Sequence, residues 1–257
     1  MRILVTNDDG IFAKGIQELV KGLKGVGEIF VIAPASERSA CGHGITVRQP
    51  IKVRKYHWQD KEVKAWAVEG TPADCVKIGI TTLLEKTPDI VISGINKGSN
   101  LGTDVLYSGT VSAAIEGIIL GVPSLSISLD SFTSEDYTIA SQVANILCRD
   151  MLNNQLAPDT LLNVNVPAVP KSEIKGWKVT KLGERKYENI FEHRKDPHGN
   201  DYYWLAGQVV PPSTQDEELD VVAAEKNYIS VTPIHFDLTN YRIMDQVKKW
   251  GIETKGI

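Results

Sequence analysis

Two apolar periodicities alternate along the first two-thirds of the chain. Ile3, Leu4 and Val5 form a short unbroken apolar run, as do "EIFVIAP" (28–34) and "PDIVISG" (88–94). Runs of that length and kind suit strands covered on both faces. Between the first two, Ile16, Leu19, Val20 and Leu23 recur at helical spacing and describe one apolar face. "IKVRKY" and "VKAWAV" alternate polar and apolar positions and predict a hairpin around Gln59 and Asp60. Thr71, Pro72 and Asp74 supply a cap, a first-turn proline and a capping-box acid for the next helix. A further helix is predicted from about Thr110, closed by Gly121 and Pro123. "SLSISL" is a short alternating strand. "DYTIASQVANILCRDML" is an amphipathic helix carrying Ile139, Val143, Ile146 and Leu147, and "TLLNVNVP" is again a strand. Strands and helices that alternate in this way predict an α/β fold: a mainly parallel sheet with helices on both faces.

From Lys171 the helical periodicity fades. "WKVTKL", "YYWLAG" and "YISVTPI" are β-type runs, while "EHRKDPHGND" between them is polar and turn-rich. Residues 1–170 are therefore expected to form the α/β core. Residues 171–257 are expected to form a β-rich C-terminal extension ending in a short helix around "YRIMDQVKKW".

Composition excludes several function classes. A net charge of −4 leaves no electrostatic footprint for a nucleic-acid polymer. The three cysteines, Cys41, Cys75 and Cys148, are odd in number and lack C-x-x-C spacing. That argues against a disulfide framework and a thiolate zinc site, and for a reducing, cytoplasmic setting. The N-terminal apolar run is too short for a signal peptide, and no run reaches the length of a membrane span.

The candidate chemistry lies in three loops that follow predicted parallel strands: "TNDDG" (6–10), "PASERSACGHG" (34–44) and "SGINKGSNLGTDVLYSGTVSAA" (93–114). In a parallel sheet such loops emerge at one edge and can converge, at the place where open α/β sheets bind ligands. Asn-Asp-Asp-Gly is also a good turn, so convergence is what separates a site at Asp8 and Asp9 from turn filler. Two carboxylates with neutral oxygens suit a hard divalent cation such as Mg²⁺ or Mn²⁺, whereas zinc would recruit His or Cys, for which the loops offer only His43 and Cys41. Ser108, Gly109 and Thr110 stand at a helix start, where unpaired N–H groups and the helix dipole attract phosphate. A metal beside an anion-binding helix end points to phosphoryl chemistry. The chain lacks G-x-G-x-x-G after its first strand, any G-x-x-x-x-G-K-[ST] and any G-x-S-x-G, which excludes the dinucleotide fingerprint, the ATP-cradling loop and the hydrolase elbow.

These blocks together resemble the SurE (stationary-phase survival protein) family of metal-dependent nucleotidases. The likeness rests on "ILVTNDDG", "APASERSACGHGIT", "GTPADCV", "SGINKGSNLGTDVLYSGTVSAAIEG" and "VNVP", in that order over most of residues 1 to 167. It implies a Rossmann-like core and one divalent ion per subunit held by Asp8, Asp9, Ser39 and Asn96. It also implies hydrolysis of nucleoside 5′-monophosphates, in some members 3′-monophosphates or short polyphosphates, and a homodimer or homotetramer with an exchanged C-terminal segment. The remaining roles stay open on the residues alone. Ser39 could be a nucleophile rather than a neutral ligand, and Asn96 a turn residue. Ser108 and Thr110 could be plain caps. Lys97 could meet a phosphate or only solvent, and His43 could be an acid–base group or structural. Two rivals remain: a broad phosphatase or exopolyphosphatase, and a nucleotide sensor without turnover.

Overall fold

The computed structural model describes residues 1–154 and 156–255. Its elements in order are β1 (Arg2–Thr6), α1 (Lys14–Gly22), β2 (Glu28–Pro34), β3 (Val53–Tyr56), β4 (Lys64–Val68), α2 (Pro72–Ile78), β5 (Ile90–Lys97), α3 (Gly109–Ile119), β6 (Ser124–Asp130), α4 (Thr138–Asn153) and β7 (Thr160–Pro167). Then follow β8 (Trp177–Val179), β9 (Lys186–Glu188), β10 (Phe191–Lys195), β11 (Asp201–Leu205), β12 (Gln208–Val210), α5 (Asp220–Glu225), β13 (Ile229–His235) and α6 (Met244–Lys248). A nine-stranded sheet in the order β3-β4-β2-β1-β5-β6-β7-β13-β8 forms the centre. The strands from β4 to β7 in that order are all parallel; β3 joins one edge antiparallel, and β13 joins β7 antiparallel at the other.

Alternate residues of the strands feed two cores. Ile3 and Val5 point to the side where α1 contributes Ile16, Leu19 and Val20 and α4 contributes Val143, Ala144 and Cys148. Leu4, Phe30 and Ile32 point to the other side, against Cys75 and Val76 of α2 and Ala113 of α3. Helices thus cover both faces, and the strands read as continuous apolar runs because each face is buried. The expected capping box starts α2: the Thr71 side chain accepts from Asp74 N, and Asp74 accepts from Thr71 N.

The chain after residue 170 divides. β8 and β13 join the main sheet, while β10–β11 and β9–β12 form two small antiparallel ribbons. The polar stretch "EHRKDPHGND", expected as turn, is half strand: β10 reaches Lys195, and the turn is confined to residues 196–200. Its side chains are exposed on both faces, so no alternation marks it as β. The expected terminal helix is present as α6, after a single 3₁₀ turn over Tyr241–Ile243. Among the described residues no helix is long and apolar enough to cross a membrane.

Candidate metal centre

The strand order reverses at β1. Chain growth runs outward through β2 and β4, then returns to place β5 on the other side. Ligands in open α/β sheets bind outside the carboxyl ends of strands at such a switch point. Asp8 and Asp9 follow the end of β1, and Asn96 is the next-to-last residue of β5, so both expected acids stand there.

Local geometry brings the three loops together. Gly10 has φ +96°, a left-handed conformation that turns the chain after the acids, and Asn7 Nδ2 donates to its carbonyl at 2.9 Å. A Cβ at Gly10 would meet the backbone of Ser36 and Glu37 at 3.2 and 3.3 Å, so the first loop lies directly on the second. Arg38 N donates to the Asp8 carbonyl at 2.7 Å, tying the segment next to Ser39 to the first acid. From the third loop, Lys97 N donates to Asp9 Oδ2 at 3.2 Å. β5 bulges between Ser93 and Asn96. Asn96 Nδ2 donates to Gly98 O at 2.8 Å, which fixes the side chain beyond the bulge.

The start of α3 faces Asp8. Ser108 is the N-cap, its hydroxyl accepting from Val111 N at 3.1 Å. Thr110 is not a cap: its hydroxyl donates to Asp8 Oδ1. A Cβ at Gly109 would fall 2.8 Å from Asp8 Cβ and 2.9 Å from Oδ2, so the helix end and the carboxylate touch. The positive end of the helix, expected to meet a phosphate, is therefore shared with Asp8.

The acids carry uncompensated charge. Burial, and then the charge of Asp9, push the Asp8 carboxyl up to about 6, against the donation from Thr110. Burial and the Glu37 carboxylate likewise raise Asp9, while Lys97 acts the other way. Three polar atoms nearby are buried without a partner: Thr6 Oγ1, Asn7 Oδ1 and Ser93 Oγ. A cation with oxygen preference fits this corner, because it offsets two desolvated carboxylates and accepts neutral oxygens. Among the described residues no cluster of three or more His, Cys, Asp or Glu side chains could hold a metal, so any ion here would draw on neutral oxygens as well as the two acids.

Other residues take positions the sequence left open. The exposed Ser39 hydroxyl donates to the Glu37 carboxylate, Oε1, at 2.7 Å. Lys97 Nζ lies 3.8 Å from Glu135. His43 Nε2 pairs with the buried Glu116 of α3 at 2.9 Å, and Lys77 of α2 pairs with the same carboxylate at 2.7 Å. His43 therefore pins the second loop to the helix that meets Asp8. A cavity of about 540 Å³ between α1 and the β3–β4 turn, lined by Lys24, Tyr56 and Trp58, includes none of these groups.

Sequence reasoning missed the anchors of the third loop. Asn100 N donates to Asn165 Oδ1 at 2.7 Å, and its carbonyl accepts from Asn163 and Asn165 at 2.8 and 3.0 Å. Asn100 Nδ2 donates to Ser128 Oγ at 2.8 Å. Asp220, from the distant α5, accepts from Gly102 N at 2.8 Å and Gly183 N at 2.7 Å. The available signal was "NVNVP" and "SISL": polar residues at every second position of strands that are otherwise fully buried.

Residues 3–189 match the family model described as survival protein SurE. The chain belongs to the SurE family. The "5'-nucleotidase SurE" of Heliobacterium modesticaldum is 54% identical, over 97% of this chain and 92% of that protein. The protein of the same name from Alkaliphilus metalliredigens is 52% identical, over 98% of this chain and 100% of that protein. The crystal structure of SurE from Aquifex aeolicus superposes with a TM-score of 0.85 at 41% identity, covering 98% of this chain and all of the other. The SurE match takes in both acids, the second loop and the third loop through α3, together with β8.

Proposed function

We propose that this chain is a 5′-nucleotidase, hydrolysing nucleoside 5′-monophosphates to nucleoside and phosphate with one Mg²⁺ or Mn²⁺ ion per subunit. The observation that carries the reading is the contact between Asp8 and the start of α3, which sets a charged oxygen donor beside an anion-attracting helix end. The relatives' shared name, 5'-nucleotidase SurE, supports the substrate class. In this reading Asp8, Asp9, Ser39 and Asn96 hold the ion. Bound there, a divalent ion supplies Lewis acidity toward a phosphoryl oxygen and makes water more acidic. Thr110 orients Asp8 through its hydroxyl, and the Lys97 backbone N–H holds Asp9. Gly109 occupies the first helical position, whose N–H has no acceptor within the helix, and with Ser108 and Thr110 it forms the phosphate seat.

A phosphate-release panel tests this: AMP, GMP, a 3′-monophosphate, an aryl phosphate and tripolyphosphate, each with Mg²⁺, Mn²⁺ or a chelator. Metal-dependent release with highest kcat/KM on 5′-monophosphates is expected. Equal rates on the aryl phosphate would make the enzyme a general phosphatase, and AMP binding without release would make it a sensor. The exposed Phe191, Tyr203, Trp204 and Leu205 of the β10–β11 ribbon support assembly through the C-terminal segment into a homodimer or homotetramer. The free cysteines support a cytoplasmic setting.

A further inference from the structure

The rim of the acid corner is polar, yet it carries a bare aromatic ring. Phe132, in the loop after β6, is 72% exposed. Its ring lies on the backbone of Gly98: a Cβ there would sit 2.8 Å from Phe132 Cζ and closer still to Cε1. Gly98 has φ +106° and is held twice, by Asn96 Nδ2 donating to its carbonyl at 2.8 Å and by its own N–H donating to Leu129 O at 3.0 Å. The ring therefore rests on the residue that fixes Asn96. Two residues of extended chain span about 7 Å, so the ring stands within a nucleotide's length of Asn96.

The loop that carries the ring is ordered. Ser131 Oγ accepts from Thr133 N at 3.2 Å and from Ser134 N at 2.9 Å. Glu135 pairs with Lys97 at 3.8 Å and with Lys14 at 3.5 Å, joining this loop to the end of β5 and the start of α1. Another exposed ring, Phe12, which follows the first acid loop, is already met edge-on by Tyr56 at 5.3 Å. Among the described residues Phe132 pairs with no other ring. An exposed aromatic face, held still beside a phosphate site, is what a base needs to stack, and any base can use it because each has a π-face.

We propose that Phe132 is the stacking platform for the nucleobase and gives the site its preference for nucleotides over simple phosphates. This rests on the nucleotidase reading. The same geometry ranks purine above pyrimidine monophosphates, because the larger ring system covers more of the platform.

The test compares wild type, F132A and F132W on AMP and on ribose 5-phosphate, which keeps the phosphate and sugar but lacks the base. F132A loses on the order of tenfold in kcat/KM on AMP, through KM with kcat nearly unchanged, and nothing on ribose 5-phosphate. F132W restores AMP. Equal losses on both substrates, or no loss on AMP, overturn the platform. Wild type that releases no phosphate from AMP refutes the nucleotidase reading instead. Equilibrium dialysis then decides the platform: AMP binding weakened in F132A supports it, and unchanged binding overturns it.

Discussion

Asp8→Asn separates the folding role of the first acid from its chemical role. Asp8 is 4% exposed, and its carboxyl rises from 3.8 to about 6. That rise weighs about 3 kcal/mol against the ionised form at neutral pH. The sign follows from linkage. Below pH 4 both folded and unfolded chains carry the proton, and the site costs nothing. Between pH 4 and 6 the unfolded chain ionises first, so stability falls, and above pH 6 the full cost is present. Asparagine keeps an oxygen for the Thr110 hydroxyl and cannot ionise. In chelator, urea denaturation should therefore find D8N more stable than wild type by up to about 3 kcal/mol above pH 6, with the gap closing toward pH 4. Manganese should reverse the order: at a thousand times its Kd it stabilises wild type by about 4.1 kcal/mol and leaves D8N unmoved. Turnover of AMP should collapse in D8N. A variant no more stable than wild type in chelator across pH 5 to 8 would refute the claim that this carboxylate bears an unoffset burial cost.

Two further substitutions probe the scaffold. Gly109→Ala should favour the helix by up to about 1 kcal/mol in isolation, yet its Cβ would strike Asp8 at 2.8 Å. We expect turnover to fall by about 100-fold with weaker manganese affinity, and normal kcat would disprove the close approach. Asn165→Ala leaves the buried Asn100 N–H without its 2.7 Å acceptor, at a cost of about 2 kcal/mol. Calorimetry should show Tm lowered by about 4–8 °C, and an unchanged Tm would remove the network from the loop's support.

The acid corner was legible because alternating strands and helices force the loops after parallel strands to one edge. Asp8, Asp9 and the Ser108 cap needed only local patterns and that rule. Which strands neighbour one another was not legible. The reversal at β1 emerges from non-local pairing, and periodicity within a run carries no information about it. The anchors Asn163 and Asn165 escaped notice because an alternating polar residue on a strand reads as solvent-facing. Here it faces a loop more than sixty positions away in sequence. β13 escaped for a related reason: "YISVTPI" reads as a strand, but its antiparallel pairing with β7 is written in no local feature.

The anchoring of Gly102 by Asp220, and of β7 by β13, bears on synthesis at the ribosome. The acids are made early, but the loop opposite them is tied down by a residue translated more than a hundred codons after it. A product halted before residue 220 leaves the Gly102 N–H without its acceptor and the flank of β7 open to pairing with another nascent chain. Interrupted translation thus leaves this loop untethered and a strand edge bare until residues 220 to 235 have been made.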